Sequence, residues 1–298
     1  MQTVYRILYH PCINKAILAI LKLFPKLPKS LKIPPSGIIN IALKSGKSLK
    51  LATNQTCSVT REVFWNGSSS YEYTDIFEHL FERCDCFFDV GANIGYYAVM
   101  AGVVNKNLKT YAFEPSPGPF AYLKQNIEIN HLNNVFGFEL ALSNENGSFS
   151  FQAAINSKYT YLKHNSLGGS GHLQVTREDE SPFIVHVEAQ TLDFFVNKHK
   201  VKNIDLIKLD VEEAEHLVLL GATSVLSTMR PIVVCEVFSS EMMTQLSTFW
   251  NEDDYAVFLF SDYRLKATSF ADCNDIKKIE NYFFVPKEKI EWIKKFID

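Results

Sequence analysis

Apolar residues along the chain gather in short runs separated by stretches with helical spacing. That alternation predicts strands with helices between them. The runs are Cys86–Val90, Lys109–Phe113, Gly137–Ala141, Ile204–Leu209, Pro231–Cys235, Tyr255–Phe260 and Tyr282–Val285. Helices are predicted over Asp75–Phe81, after Gly95, from Pro115-Ser116-Pro117 to Asn130, after Thr191, up to Gly221-Ala222, and over Lys287–Phe296. Repeated β and α units of this length point to an α/β fold with a doubly wound, mostly parallel sheet.

Two regions break the rhythm. Residues 1–74 read as an appendage: a basic, amphipathic segment ending at Pro25, Pro28 and Pro34, then a hairpin from Ile38 to Leu51 about Ser45-Gly46. The run Ile17–Phe24 contains Lys22 and falls short of the ~20 apolar residues a membrane span needs. No small-residue cleavage site follows it, so it is not read as a signal peptide. A helix packed on the protein's own body is the favoured reading, with a membrane-surface helix as the alternative. Residues 75–298 form the main body, with a Gly- and Ser-rich insertion near 144–190.

Composition narrows the field. The chain has 298 residues, 47% hydrophobic and 21% charged, enough to bury a full core. A net charge of -3 excludes nothing but a basic nucleic-acid face. The six cysteines include no CxxC pair, so neither a zinc site nor a disulfide framework is expected, and a reducing, cytoplasmic setting fits best.

The chemistry concentrates at strand ends. Asp89, Gly91, Asn93 and Gly95 form a glycine turn between a strand and a helix, where bare amide groups meet a ligand. A pyrophosphate loop would not put an acid at its mouth. Glu114 follows the next strand, where an acid can accept both hydroxyls of an adenosine ribose. Ser143 stands beyond the third strand, where adenine would lie. Asp210, Glu212, Glu213, Glu215 and His216 crowd the end of Ile204–Leu209, and Glu236 follows Pro231–Cys235. Lys208 is read as a buried ion-pair partner, and Tyr71 and Glu72 as a lid or a plain loop. Asn165, Ser170 and His172, on the insertion, are candidates for an acceptor pocket.

The ordered signatures FFDVGANIGYY (87–97), YAFEPSPGPFAYLKQNIEIN (111–130), ALSNENG (141–147), TLDFF (191–195), IDLIKLDVEEAEHLVLLGA (204–222) and PIVVCEV (231–237) resemble the FkbM-type methyltransferase family. The resemblance implies a Rossmann-like, class I methyltransferase fold and S-adenosyl-L-methionine as cofactor. It implies O-methylation of a hydroxyl on a sugar, glycan or other small metabolite. Asp89, Gly91, Asn93 and Gly95 would surround the methionine portion, Glu114 the ribose, and Asp210 with Glu212 the reacting methyl. Glu213 departs from the family's usual Asp-Val-Glu-Gly, and would narrow the pocket or touch substrate. Deprotonating a sugar hydroxyl calls for a general base or a divalent metal. Asp210 is the first candidate base, Glu212 the second and His216 the third; the metal is left open, as is the oligomeric state. The alternatives are a nicotinamide oxidoreductase, which the acidic mouth opposes, and a noncatalytic binding module.

Overall fold

The computed structural model describes residues 2–24, 28, 31–153, 156–168, 183–272, 276 and 279–298. The chain opens with helices α1 (Gln2–Leu8) and α2 (Pro11–Leu21), then the hairpin β1 (Gly37–Ala42) and β2 (Ser48–Thr53). Helices α3 (Ser58–Asn66) and α4 (Thr74–Phe81) lead to β3 (Cys86–Val90), α5 (Tyr96–Val104), β4 (Lys109–Phe113), α6 (Pro117–Ile129) and β5 (Val135–Phe138). Three strands follow, β6 (Ala141–Leu142), β7 (Gly147–Ala153) and β8 (Phe183–Gln190), then α7 (Leu192–His199) and β9 (Leu206–Leu209). The last part holds α8 (Glu215–Leu220), α9 (Thr223–Met229), β10 (Ile232–Val237), α10 (Ser240–Ser247), β11 (Tyr255–Ser261), β12 (Arg264–Thr268) and β13 (Glu280–Pro286).

Eight strands make the main sheet, in the order β12-β11-β13-β10-β9-β3-β4-β5. From β10 to β5 every pairing is parallel, and β13, β11 and β12 are added antiparallel. Helices cover both faces, which is why β3 and β9 are buried along their whole length. One apolar cluster joins α4, α5 and the hairpin to one face; the other joins α7, α8, α9 and α10 to the opposite face. The fold is the expected doubly wound, Rossmann-like α/β sheet. The order in which strands are added reverses between the parallel neighbours β3 and β9, β4 and β5 following on one side and β10 on the other, and there a ligand crevice opens at the carboxyl ends of the strands.

The hairpin is built into this body. Its Ile39, Ile41, Leu49 and Leu51 belong to the same cluster as Phe77 and Met100. On the outer edge of β2, Asn130 accepts from Lys50 N at 2.8 Å and donates to its carbonyl at 2.7 Å. Asn126 does the same for Ala52, at 2.6 and 3.4 Å.

Several boundaries differ from the sequence reading. The third strand is Val135–Phe138, not Gly137–Ala141; Ala141 and Leu142 leave the main sheet to pair with β8. The apolar pattern runs unbroken through this change of partner, so it could not mark it. Strand β10 extends to Val237, which puts Glu236 inside the strand rather than after it. Lys287–Phe296 is two 3₁₀ segments, Lys287–Trp292 and Lys294–Phe296, because apolar residues three apart serve either helix type. Helices α3, α9 and α10 and strand β12 were not anticipated.

Candidate functional site

The site begins with the turn after β3. Gly91 N and Ala92 N both donate to the Phe113 carbonyl, at 3.0 and 2.9 Å, drawing the end of β3 against the end of β4. On the other side Asp210 N donates to the Val90 carbonyl at 3.1 Å. Gly91 lies at φ +76, and a Cβ there would stand 1.8 Å from the Asp210 carbonyl oxygen. Only glycine therefore lets the ends of β3 and β9 close to this distance.

Glu114 continues from β4, and its carboxylate is anchored twice: Oε2 accepts from Asn93 N at 2.9 Å and Oε1 from Ser116 N at 2.8 Å. Burial pushes its pKa up to about 7, against those two hydrogen bonds. Each oxygen keeps a second lone pair for a ligand hydroxyl. Asn93, at φ +51, donates through Nδ2 to the Leu167 carbonyl at 3.1 Å, and Leu167 N donates to Thr56 Oγ1 at 3.1 Å. These bonds fasten residues 163–168 over the turn.

Together these parts enclose a cavity of about 700 Å³ at the switch point, within the range of small-molecule sites. Gly91, Asn93, Glu114, Ser143, Asn165, Asp210, Glu212 and Glu236 all line it. So do Phe113, Pro115 and Leu142, which make an apolar slot, and Tyr71, Lys163 and His164. The sequence reading had not singled out Lys163 or His164; only their place on a segment interrupting the βα rhythm hinted at them.

Four candidates stand elsewhere. Asp89 is wholly buried beneath the turn, 3.9 Å from Lys208 Nζ, because it is the register partner of Lys208 across β3 and β9. Gly95 starts α5 with a Cβ direction aimed at Leu123, not at the cavity. Glu213 is exposed at φ +76. That left-handed backbone explains why glycine suits the position, and the side chain does not narrow the cavity. His216 is half-exposed on α8, away from the cavity wall, because Glu215 before it turns inward, its Oε1 accepting from Val211 N at 2.9 Å. Of the lid pair, Tyr71 reaches the cavity while Glu72 borders a second cleft and accepts from the Tyr97 hydroxyl at 2.9 Å. Ser170 and His172 lie outside the described residues.

Electrostatically the cavity is an acid-rich wall with one buried cation behind it. Lys208, 3% exposed, donates to Asp210 Oδ2 at 2.9 Å. Burial works against its charge, but the Asp210 and Asp89 carboxylates outweigh it and hold the ammonium above its ordinary pKa. Burial, with Asp210 and Glu72 nearby, raises Glu236 to about 8. Burial also raises Asp89 to about 6, despite Lys208, and Glu215 to about 7. Glu114 and Glu236, the two of these raised acids that line the cavity, gain from a cationic ligand, whose charge lets them ionise. Among the described residues no three His, Cys, Asp or Glu side chains gather as a metal site.

The sequence pattern of the methyltransferase FkbM domain matches residues 89–276. The 31-O-demethyl-FK506 methyltransferase FkbM of Streptomyces tacrolimicus is 28% identical over 187 residues, covering 52% of this chain and 69% of that protein. The hexuronic acid methyltransferase AglP of Haloferax volcanii is 26% identical over 153 residues, covering 51% of this chain and 56% of that one. The crystal structure of methyltransferase FkbM from Methylobacillus flagellatus KT aligns with 75% of this chain and 52% of its own, at 13% identity and a TM-score of 0.43.

Proposed function

Because the chain belongs to the FkbM methyltransferase family, we propose that it moves the methyl group of S-adenosylmethionine onto a hydroxyl of a sugar, glycan or other small metabolite. The observation that carries this reading is the acidic cavity at the switch point, where the doubly anchored Glu114 and the Asp210 carboxylate face one space. The name of one relative, a 31-O-demethyl-FK506 methyltransferase, supports an oxygen acceptor, and that of the other, a hexuronic acid methyltransferase, supports a sugar.

The residues fit the cofactor. Glu114 has lone pairs for two ribose hydroxyls; Phe113, Pro115 and Leu142 offer an apolar slot for a purine; and the acid wall suits a sulfonium. When bound, S-adenosylmethionine supplies a methyl group made electrophilic by positive charge. The chain's own task is orientation and proton removal. Asp210 is the first candidate to receive the acceptor's proton, its Oδ2 held by Lys208. Glu212 shares the wall as second candidate. Burial, with Asp210 and Glu72 nearby, biases Glu236 toward its protonated form in the ligand-free cavity, so it ranks behind Asp210 and Glu212 as a base.

Calorimetric titration with S-adenosylmethionine, S-adenosylhomocysteine and NAD tests the assignment. Heat from the first two and none from NAD is expected; heat from NAD alone would select the oxidoreductase reading. The Asp210→Asn variant keeps shape and removes basicity, so it should retain cofactor affinity and lose ~10²- to 10⁴-fold in turnover. Wild-type turnover across a pH series would remove Asp210 as the base.

A further inference from the structure

The two N-terminal helices present apolar surface that the body does not cover. In α2 the inward side is Asn14, Ile17, Leu18 and Leu21, of which Asn14 and Leu18 are buried. Asn14 holds the helix down, accepting from Ser36 N at 2.8 Å and donating to the Pro34 carbonyl at 3.3 Å. A second stripe, Ile13, Ala16, Ile20 and Leu23, repeats the helical spacing on another side. Ile20 and Leu23 are 59% and 76% exposed, and Val4 and Ile7 on α1 are 64% and 56% exposed. Clustered exposure of this kind marks an interaction surface.

Charge identifies the partner. Residues 1–35, the stretch that carries both helices, contain six lysines and arginines and no aspartate or glutamate, in a chain whose net charge is -3. Among the described residues no helix is long and apolar enough to cross a membrane. We propose that α1 and α2 dock on an anionic lipid bilayer, the apolar stripe entering the headgroup layer and the basic residues meeting lipid phosphates.

The docking surface is tied to the cavity. Gln2 Nε2 donates to the Lys158 carbonyl at 3.3 Å, the Tyr5 and Tyr9 rings pack edge-on against Tyr159 at 5.5 and 5.8 Å, and Arg6 lies 5.3 Å over Tyr161. The same segment goes on to line the cavity at Lys163, His164 and Asn165.

Sedimentation of the full chain with vesicles decides the matter. Phosphatidylcholine vesicles containing phosphatidylserine should retain the protein roughly 100-fold more strongly than pure phosphatidylcholine, and added salt should erase the difference. The variant Ile13→Ser/Ile20→Ser/Leu23→Ser should lose roughly 100-fold in partitioning. Leu220→Ser, exposed elsewhere, should lose nothing. The melting shift with S-adenosylhomocysteine, measured on the same samples, reports the cofactor reading separately and should survive the triple substitution. Equal sedimentation of wild type and triple variant overturns the proposal. So does a dimer in sedimentation velocity that the serines dissolve while vesicles fail to bind, which would give the stripe to a second copy of the chain.

Discussion

Substituting Gly91 tests how tightly the ends of β3 and β9 are brought together. Alanine at Gly91 and at Gly46 meets the same backbone demand, φ +76 and φ +82, which costs an L-residue ~1–2 kcal/mol. Nothing lies within 4 Å of a Cβ at Gly46, so Gly46→Ala loses that amount and no more. At Gly91 the methyl would stand 1.8 Å from the Asp210 carbonyl oxygen, and ordinary contact begins at 3.4 Å, so turn or strand end must retreat by about 1.6 Å. Overpacking of this sort adds ~1–3 kcal/mol, giving about 2–5 kcal/mol in all for Gly91→Ala. For a chain of this size each kcal/mol is worth about 2 °C. The melting temperature should fall by roughly 2–4 °C for Gly46→Ala and roughly 4–10 °C for Gly91→Ala. Circular dichroism melts of the two variants, with titration of S-adenosylhomocysteine into each, make the comparison. Equal losses of stability, or wild-type affinity in Gly91→Ala, would refute the reasoning that this apposition shapes the cavity.

Three further outcomes are expected. Glu114→Ala removes the acceptor of Asn93 N and Ser116 N together with the proposed ribose contact, and should weaken S-adenosylhomocysteine binding by ~1–3 kcal/mol in calorimetry; an unchanged dissociation constant would move the contact elsewhere. Lys208→Met strands the buried Asp89 and should cost about 3 kcal/mol, the low end for a broken buried pair because Asp89 takes up a proton; Asp89→Asn in the same chain should restore most of the loss, and no recovery in denaturant melts would disprove the pairing. Asp89, Glu114, Glu215 and Glu236 have folded pKa values of about 6, 7, 7 and 8, all above the ordinary carboxyl range, so the folded state holds protons that the unfolded state has released. The stability they contribute is complete below the unfolded pKa and disappears as pH rises through 6–8. The ligand-free protein should melt lower at pH 8.5 than at pH 6, with a shallower slope in Glu236→Gln, and a flat or rising profile would contradict the buried acids.

What the sequence made legible was whatever rests on local periodicity. Cys86–Val90 and Lys109–Phe113 coincide with β3 and β4 because short apolar runs between helices covering both faces have one reading. The cavity residues Gly91, Glu114 and Asp210 were legible because each follows a strand at its carboxyl end. The place of Asp89 beneath the cavity was not legible: its position in the motif suggested a pocket acid, while strand alternation and the register with Lys208 turn it inward. The loss of His216 depended on Glu215 folding back to Val211, a contact across one turn that no spacing rule foretells. Lys163 and His164 are held at the site by bonds made with distant parts of the chain: Asn93 Nδ2 and Asn54 Nδ2 donate to the Leu167 and His164 carbonyls, and Thr56 Oγ1 accepts from Leu167 N.

Asn126 on α6 and Asn130 at its C-cap stand in for a third strand beside β2: four side-chain hydrogen bonds reproduce what a neighbouring backbone would give Lys50 and Ala52. An open strand edge invites pairing with another chain, and here a helix closes it. Asn126 and Asn130 are made about 75 residues after the hairpin they seal, several seconds later at ~5–20 residues per second of synthesis. Until α6 has been made, nothing can give Lys50 and Ala52 these four bonds, and an edge formed before then would be open to pairing with another chain.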